Sequence, residues 1–152
     1  MRRRSSSRKL WVGWREWVSL PELGIQSIKA KVDTGALTSA LHAVHIHRYR
    51  EDGVEQVAFD VHPVQRDAHQ TLHCRAEVLD ERLVSSSTGH REQRIVIRTP
   101  LVVGDQVWPV ELTLTNRATM GFRMLLGRRA MGRHLVVNPA ASYLAGVPLA
   151  GS

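Results

Sequence analysis

Apolar and polar residues alternate along most of this chain with the period of strands. Ile28-Lys29-Ala30-Lys31-Val32 and Ala40-Leu41-His42-Ala43-Val44 each turn every second side chain to one face, the pattern of a half-buried strand. Trp11 to Leu20 alternates more loosely and stops at Pro21, whose fixed φ and missing N–H disfavour continuation. Residues 40–49 and 54–62 read as two strands about Glu51-Asp52-Gly53, a hairpin turn, with Pro63 closing the second. Further strands are expected over 72–79 and 93–103, the latter carrying the β-branched cluster Ile95-Val96-Ile97. Gly104-Asp105-Gln106 turns into another strand over 107–115, and only residues 128–133 predict a helix. Many short strands punctuated by Gly and Pro imply an all-β domain, a small closed or partly closed β-barrel with one short helix.

Between the first two alternating runs lies Asp33-Thr34-Gly35-Ala36. Asp33 supplies a carboxylate and Thr34 a hydroxyl. Gly35 lets backbone or substrate approach closely for want of a Cβ, and Ala36 keeps the exit small. Strand, Asp-Thr-Gly-Ala, strand is the layout by which aspartic peptidases present a catalytic carboxylate. Asp and Gly are also ordinary turn residues, so the tripeptide by itself equally describes a hairpin or bulge turn. Met124-Leu125-Leu126-Gly127-Arg128, followed by Arg129-Ala130-Met131, shifts the balance. In retroviral-type aspartic peptidases such a strand follows later in the chain and packs behind the catalytic turn.

With both pieces in that order the chain resembles a retropepsin-like protein. Longer strings sharpen the resemblance: Gly13-Trp14-Arg15-Glu16-Trp17-Val18-Ser19-Leu20-Pro21, Thr38-Ser39-Ala40-Leu41-His42-Ala43, Ser86-Ser87-Thr88-Gly89-His90-Arg91-Glu92, Glu111 to Arg117 and Met120 to Arg128. Together they resemble the bacterial family labelled ATP-dependent zinc proteases, retropepsin-like aspartic peptidases associated with a glutamate ligase that acts on a ribosomal protein. The match runs from about Trp11 to Tyr143. The resemblance implies that Asp33 is the catalytic carboxylate, with Thr34 bonding across a two-fold axis and Gly35 N–H reaching the carboxylate. It makes Ser39, Gly127 and Arg128 structural support behind the turn. Residues 37–40 are Leu-Thr-Ser-Ala, so they offer Arg128 no acid to pair with.

An aspartic peptidase needs two carboxylates sharing one proton, one activating water and the other polarising the scissile carbonyl. The chain holds one Asp-Thr-Gly and no second Asp-Ser/Thr-Gly. The reading therefore requires a two-fold homodimer in which each subunit donates Asp33. Residues 85–91, between strand-like residues 77–84 and 92–98, have by composition the character of an ordinary exposed loop, while their place between the catalytic turn and the Leu-Leu-Gly strand is where the resemblance to retropepsins implies the tip of a flap hairpin. Substrate contacts are expected from Ala36, from Gly89, His90, Arg91 and Arg82 of the flap, and from Arg123.

At 152 residues, with 43% apolar and 23% charged, the composition is that of one globular domain over 10–152, preceded by a basic arm over 1–9 expected to be disordered. The net charge of +7 is unevenly placed: residues 1–9 hold five basic groups and no acid, 10–81 seven basic against eleven acidic, and 82–152 nine against three. No apolar run reaches the ~18 residues a membrane span requires. Arg15 and Glu16 interrupt Leu10–Val18 as a signal core, and the single Cys74 allows no internal disulfide and fits a reducing cytoplasm. A dyad of carboxylates repels an acidic peptide, so a glutamate-rich substrate, implied by the ligase association, calls for basic groups nearby. Arg82, Arg91 and Arg94 at the flap and Arg117 and Arg123 before the supporting strand are the candidates, since a guanidinium grips a carboxylate bidentately.

No cofactor is expected. His42, His45 and His47, with His73-Cys74 and His90, offer metal-ligand types, but His45 and His47 would share one strand face and His42 the other. Neither a His-Glu-x-x-His helix nor a Cys-x-x-Cys pair occurs, nor any Gly-x-x-x-x-Gly-Lys loop for ATP. Trp11 and Trp17 are expected on one strand face and Trp14 on the other, packing a core or dimer interface. The expectation is a dimeric cytoplasmic aspartic peptidase trimming an acidic or glutamate-modified protein tail, with ribosomal association and no membrane contact. A non-catalytic barrel binding such a tail or a ribonucleoprotein is the alternative, and a zinc-dependent hydrolase the third.

Overall fold

The structure, a computed structural model, describes residues 8–64, 70–85, 88–117 and 121–148. The basic arm lies almost wholly outside them, as do Ser86 and Ser87 of the expected flap tip. The strands are β1 (Leu10–Val12), β2 (Arg15–Leu20), β3 (Ile25–Val32), β4 (Ser39–His42), β5 (Val44–Glu51), β6 (Val54–Val61), β7 (Leu72–Glu77), β8 (Asp80–Ser85), β9 (Arg91–Val103), β10 (Gln106–Thr115), β11 (Met124–Leu126) and β12 (Leu135–Val137). The one α-helix among the described residues is α1 (Arg128–Met131), and Pro21–Leu23 forms a 3-10 turn. Among the described residues no helix is long and apolar enough to cross a membrane.

Six strands close a barrel in the order β10-β4-β11-β3-β2-β9, because β9 pairs with both β2 and β10. Closure leaves these six without an unpaired edge. The alternation that predicted strands sorts their side chains. Val18, Leu20, Ile28, Ala30, Leu41, Ile97, Leu101, Leu112, Met124 and Leu126 are fully buried inside, each large apolar side chain contributing roughly 1.5–3 kcal/mol. β8 adds to the edge of β9, and β5-β6-β7 form a separate antiparallel sheet. That sheet packs Val57, Phe59, Val61 and Cys74 into the same core, and the Cys74 thiol donates to Leu23 O.

Three expected strands divide. Trp11–Leu20 breaks at Gly13-Trp14, so Trp11 lies in β1, paired in parallel with β12, and Trp17 lies in the barrel. The break is where the C-terminal segment crosses: a Cβ on Gly13 would collide with the Ala141 carbonyl, and Trp14 N–H donates to that carbonyl at 2.9 Å. Buried Glu16 fastens the crossing, its carboxylate accepting from the N–H groups of Gly13 (2.7 Å), Leu144 (2.7 Å) and Ala145 (3.1 Å). Residues 40–49 divide at buried Ala43, where the chain leaves the barrel for the second sheet. Residues 72–79 end at Glu77, since Val78 N–H still reaches Glu55 of the small sheet while Leu79 N–H already reaches Val96 of the barrel. The turn at Glu51-Asp52-Gly53 forms as expected, with φ +53° at Asp52 and +79° at Gly53, the two positive φ values a tight hairpin needs.

Candidate active site

The loop carrying Asp33 straddles another strand. β11 lies between β3 and β4, parallel to β3 and antiparallel to β4, so residues 33–38 arch over its end. Asp33 N–H donates to Leu126 O at 2.9 Å, fixing the start of the loop. Gly35 N–H donates to Asp33 Oδ1 at 2.9 Å. A Cβ on Gly35 would stand 3.2 Å from that same oxygen, so the residue that bonds the carboxylate must be small. Asp33 is half-buried, while Thr34 and Gly35 are exposed.

Gly127 sits under the arch. A Cβ there would come within 2.5 Å of Thr38 O and 3.0 Å of Ala36 O. Its buried N–H donates to Ser39 Oγ at 2.9 Å. Arg128 N–H donates to Ala36 O at 2.7 Å, and Arg129 N–H to Leu37 O at 3.1 Å. The arginine with no acid within reach in sequence finds a carbonyl instead: Arg128 Nη1 donates to Thr34 O at 3.0 Å. Ser39, Gly127 and Arg128 thus stand together beneath Asp33, Thr34, Gly35 and Ala36.

The strands of the expected flap are β8 and β9, joined through the pair Ser85↔Arg91. Among the tip residues described, Gly89 has φ +83° and, with His90 and Arg91, is exposed. The base of the hairpin is tied to the Asp33 loop by residues expected from the sequence to play other roles or none, Arg94 among them as a contact for substrate. Arg94, its side chain 11% exposed, donates to Glu92 Oε1 at 2.9 Å and to Thr113 Oγ1 at 3.2 Å. Thr113 Oγ1 in turn donates to Ser39 O at 3.0 Å. Burial works against the Glu92 carboxylate, yet Arg94 and Thr115 outweigh it and hold its pKa below the usual range. The string Glu111 to Arg117 held the signal for Thr113. Arg82, by contrast, lies between Asp80 (2.9 Å) and Glu111 (2.8 Å). A cavity of about 320 Å³ opens beside this base, lined by Thr38, Ser39, Arg82, Arg98, Glu111 and Arg129 among others.

Arg123 stands with His42 on the other side of the supporting strand. His42 N–H donates to Arg123 O at 2.8 Å, and burial, reinforced by the Arg123 charge, lowers the imidazole pKa. The histidines of residues 42–47 separate: a bulge between Val44 and His47 turns His45 (φ +53°) onto Asp60, while His47 stacks on Tyr49. Both rings are exposed, and with the bulge in their strand they take different partners. His73 takes the other Asp60 oxygen. Among the described residues no group of three His, Cys, Asp or Glu is placed to hold a metal ion.

A closed barrel that carries an Asp-Thr-Gly arch over a Leu-Leu-Gly strand is the retropepsin-like architecture. The model of the RimB-like family, described as retropepsin-like aspartic endopeptidase RimB, matches residues 11–148, and the chain belongs to that family. A protein named "Probable alpha-L-glutamate ligase" from Desulfotalea psychrophila is 52% identical over 129 residues, 85% of this chain and 28% of that protein. One of the same name from Shewanella pealeana is 45% identical over 141 residues, 93% of this chain and 31% of that protein. The chain therefore spans about three tenths of the length of the curated relatives it matches. A crystal structure of a protein of unknown function from Legionella pneumophila superposes with a TM-score of 0.74 at 25% identity, covering 91% of this chain and 99% of the other. The zinc in the label attached to the resemblance has no counterpart in these comparisons.

Proposed function

We propose that the chain is an aspartic peptidase that acts as a homodimer and trims an acidic or glutamate-modified protein tail. The observation that carries the reading is the support of Asp33. Its backbone hangs from β11, its Oδ1 takes the Gly35 N–H, and the loop is braced from below by Gly127 and Arg128. Such a frame holds a carboxylate at fixed orientation while leaving its other oxygen open. Two copies meeting at Thr34, exposed at the crest of the arch, would bring two Asp33 carboxylates together around one proton. The ionised member takes a proton from water as the water attacks the peptide carbonyl. The protonated member donates to that carbonyl oxygen, and the tetrahedral adduct breaks as the leaving nitrogen is protonated. The cytoplasm is the compartment this reading assigns.

Asp33→Asn is the test. It removes the shared proton and leaves the Oδ1 acceptor for Gly35 in place, so cleavage of peptide substrate should vanish while the melting temperature and subunit number stay at wild-type values. A variant retaining more than a few per cent of turnover would show that Asp33 is not the catalytic carboxylate.

A second reading, a non-catalytic module that binds a glutamate-modified tail, is favoured by one finding. The relatives named as glutamate ligases are about three times as long as the matched region, so there the domain accompanies a larger protein. Peptide binding without cleavage, equal in wild type and Asp33→Asn, is its signature.

A further inference from the structure

We propose that the cavity between the base of the expected flap and the end of the Asp33 loop is an anion pocket, in which Arg98 and Arg129 receive acidic side chains of the substrate. The inference rests on the acidic substrate of the proposed function and deepens it. Neither arginine is among the residues expected from the sequence to contact substrate.

Strand pairing builds one wall. Arg98 of β9 stands directly opposite Glu111 of β10, and neighbours of opposite charge across a strand pair ordinarily attract. Here the carboxylate is already taken. Arg82 reaches it from β8, on the far side of β9, with Nη1 2.8 Å from Glu111 Oε1, while its Nε lies 2.9 Å from Asp80 Oδ2. Arg82 is thereby neutralised by two carboxylates. Arg98 is exposed and forms no ion pair with a described carboxylate.

The other wall belongs to the frame of Asp33. Thr38 and Ser39 end the arch, and Arg129, whose N–H holds Leu37 O at 3.1 Å, stands beside them. Arg129 is likewise exposed and without an ion pair to a described carboxylate. Val96, Val110 and Ala130, all buried, give the cavity an apolar floor. The polar groups below it are already satisfied, since Arg94 donates to Thr113 Oγ1 and Thr113 to Ser39 O. Two guanidinium groups above an apolar floor match a glutamate side chain. Its methylenes cover the floor, and its carboxylate accepts from a guanidinium fork. Inorganic phosphate would leave the floor bare. A volume of about 320 Å³ is at the small end for ligand pockets and admits side chains of a peptide, not a folded partner.

Chain geometry sets where along a substrate the pocket acts. Thr38, on its rim, follows Asp33 by five positions, so at most about 18 Å of chain separates the two. An extended peptide with one end at Asp33 covers that distance with about five of its own residues. A run of glutamates can therefore lie in the pocket while the scissile bond lies at the arch. The two cations also offset the repulsion between an acidic chain and a negatively charged dyad.

The experiment is binding, kept apart from turnover. Fluorescence anisotropy with labelled hexaglutamate and hexaglutamine is measured on the full chain carrying Asp33→Asn, with free glutamate and inorganic phosphate as competitors. Hexaglutamate should bind, hexaglutamine not, and added salt should weaken the affinity. Both small competitors should displace it only at far higher concentration than unlabelled hexaglutamate. Arg98→Gln and Arg129→Gln should each weaken hexaglutamate binding about five- to tenfold at unchanged melting temperature. Arg98→Lys and Arg129→Lys should lose about two- to threefold, because the charge stays while the fork goes. Arg75→Gln, the same change of net charge on exposed β7, should stay within about twofold of wild type. The inference is overturned if both glutamine variants bind like wild type, if Arg75→Gln loses as much as they do, if hexaglutamate does not bind, or if free glutamate or phosphate competes as well as hexaglutamate. Cleavage of a neutral peptide by the chain with Asp33 intact decides the peptidase reading separately. A chain that binds hexaglutamate through Arg98 and Arg129 but cleaves nothing keeps the pocket and loses the enzyme.

Discussion

At the scale of single residues, the candidate site depends on two small residues beneath the arch, Ser39 and Gly127. Ser39 Oγ is the acceptor for the buried N–H of Gly127, and Ser39 O is the acceptor for Thr113. Ser39→Ala leaves that N–H unsatisfied, at a cost of about 1–3 kcal/mol. Gly127→Ala drives a methyl against the Thr38 carbonyl, 2.5 Å from where the Cβ would stand, and overpacking of this kind costs about 1–3 kcal/mol. Each variant should lower the melting temperature by roughly 2–4 °C per kcal/mol and lower peptidase turnover with it, because the arch above them carries Asp33. Wild-type melting of both variants would show that the arch is supported otherwise. The sequence displayed Gly127 and Arg128 through the apolar-apolar-Gly-Arg run. It could not display the Thr34 carbonyl as the arginine's partner, since any residue supplies a carbonyl.

At the scale of elements, the sheet β5-β6-β7 is clasped by one carboxylate. Asp60 Oδ2 lies 2.8 Å from His45 Nδ1 and Oδ1 lies 2.6 Å from His73 Nδ1. The hydrogen bonds from His45 and then His73 hold the Asp60 carboxyl below the usual carboxylate range. A depressed carboxyl pKa contributes stability that is present above the unfolded value, about 4, and is lost as pH falls through the folded one. The stability gap between wild type and Asp60→Asn should therefore be full at pH 6 and narrow below about pH 4, read as melting temperature at each pH. A gap that stays constant down to pH 2 would refute the clasp. Alternation did not foretell the clasp: a bulge between Val44 and His47 accompanies His45 at Asp60, and His73 arrives from the neighbouring strand.

At the scale of the molecule, the barrel is complete in one chain while the proposed chemistry is not. One Asp-Thr-Gly per 17.1 kDa chain requires that activity come from a pair. Sedimentation under assay conditions should give twice the chain mass, and specific activity should fall on dilution as the pair separates. Full activity from a species of single-chain mass would exclude a shared dyad. The segment after β12 turns back over its own barrel, where Leu144 and Ala145 bond Glu16. A pair would therefore meet through the exposed arch at Thr34 and Leu37, not through this segment.

The sequence by itself determined what is local and repetitive. Period-two alternation defined the strands, Asp52-Gly53 the tight turn, and two short strings the class of site, because strand pleat, turn dihedrals and a reactive side chain are written in neighbouring residues. Tertiary structure alone decided what joins distant residues. It inserted β11 between β3 and β4, placed β12 beside β1, and closed the barrel through β9, all pairings made by backbone groups that carry no residue identity. It also chose among the arginines. Arg82 and Arg94 meet carboxylates contributed by another strand or by residues two away, whereas Arg15 meets Ser142 and the Trp14 and Tyr143 rings, and the Arg123 Nε is buried without a hydrogen-bond partner. A count of charges along the chain could place the positive half but not the partner of each arginine, because Coulombic pairing depends on distance in space.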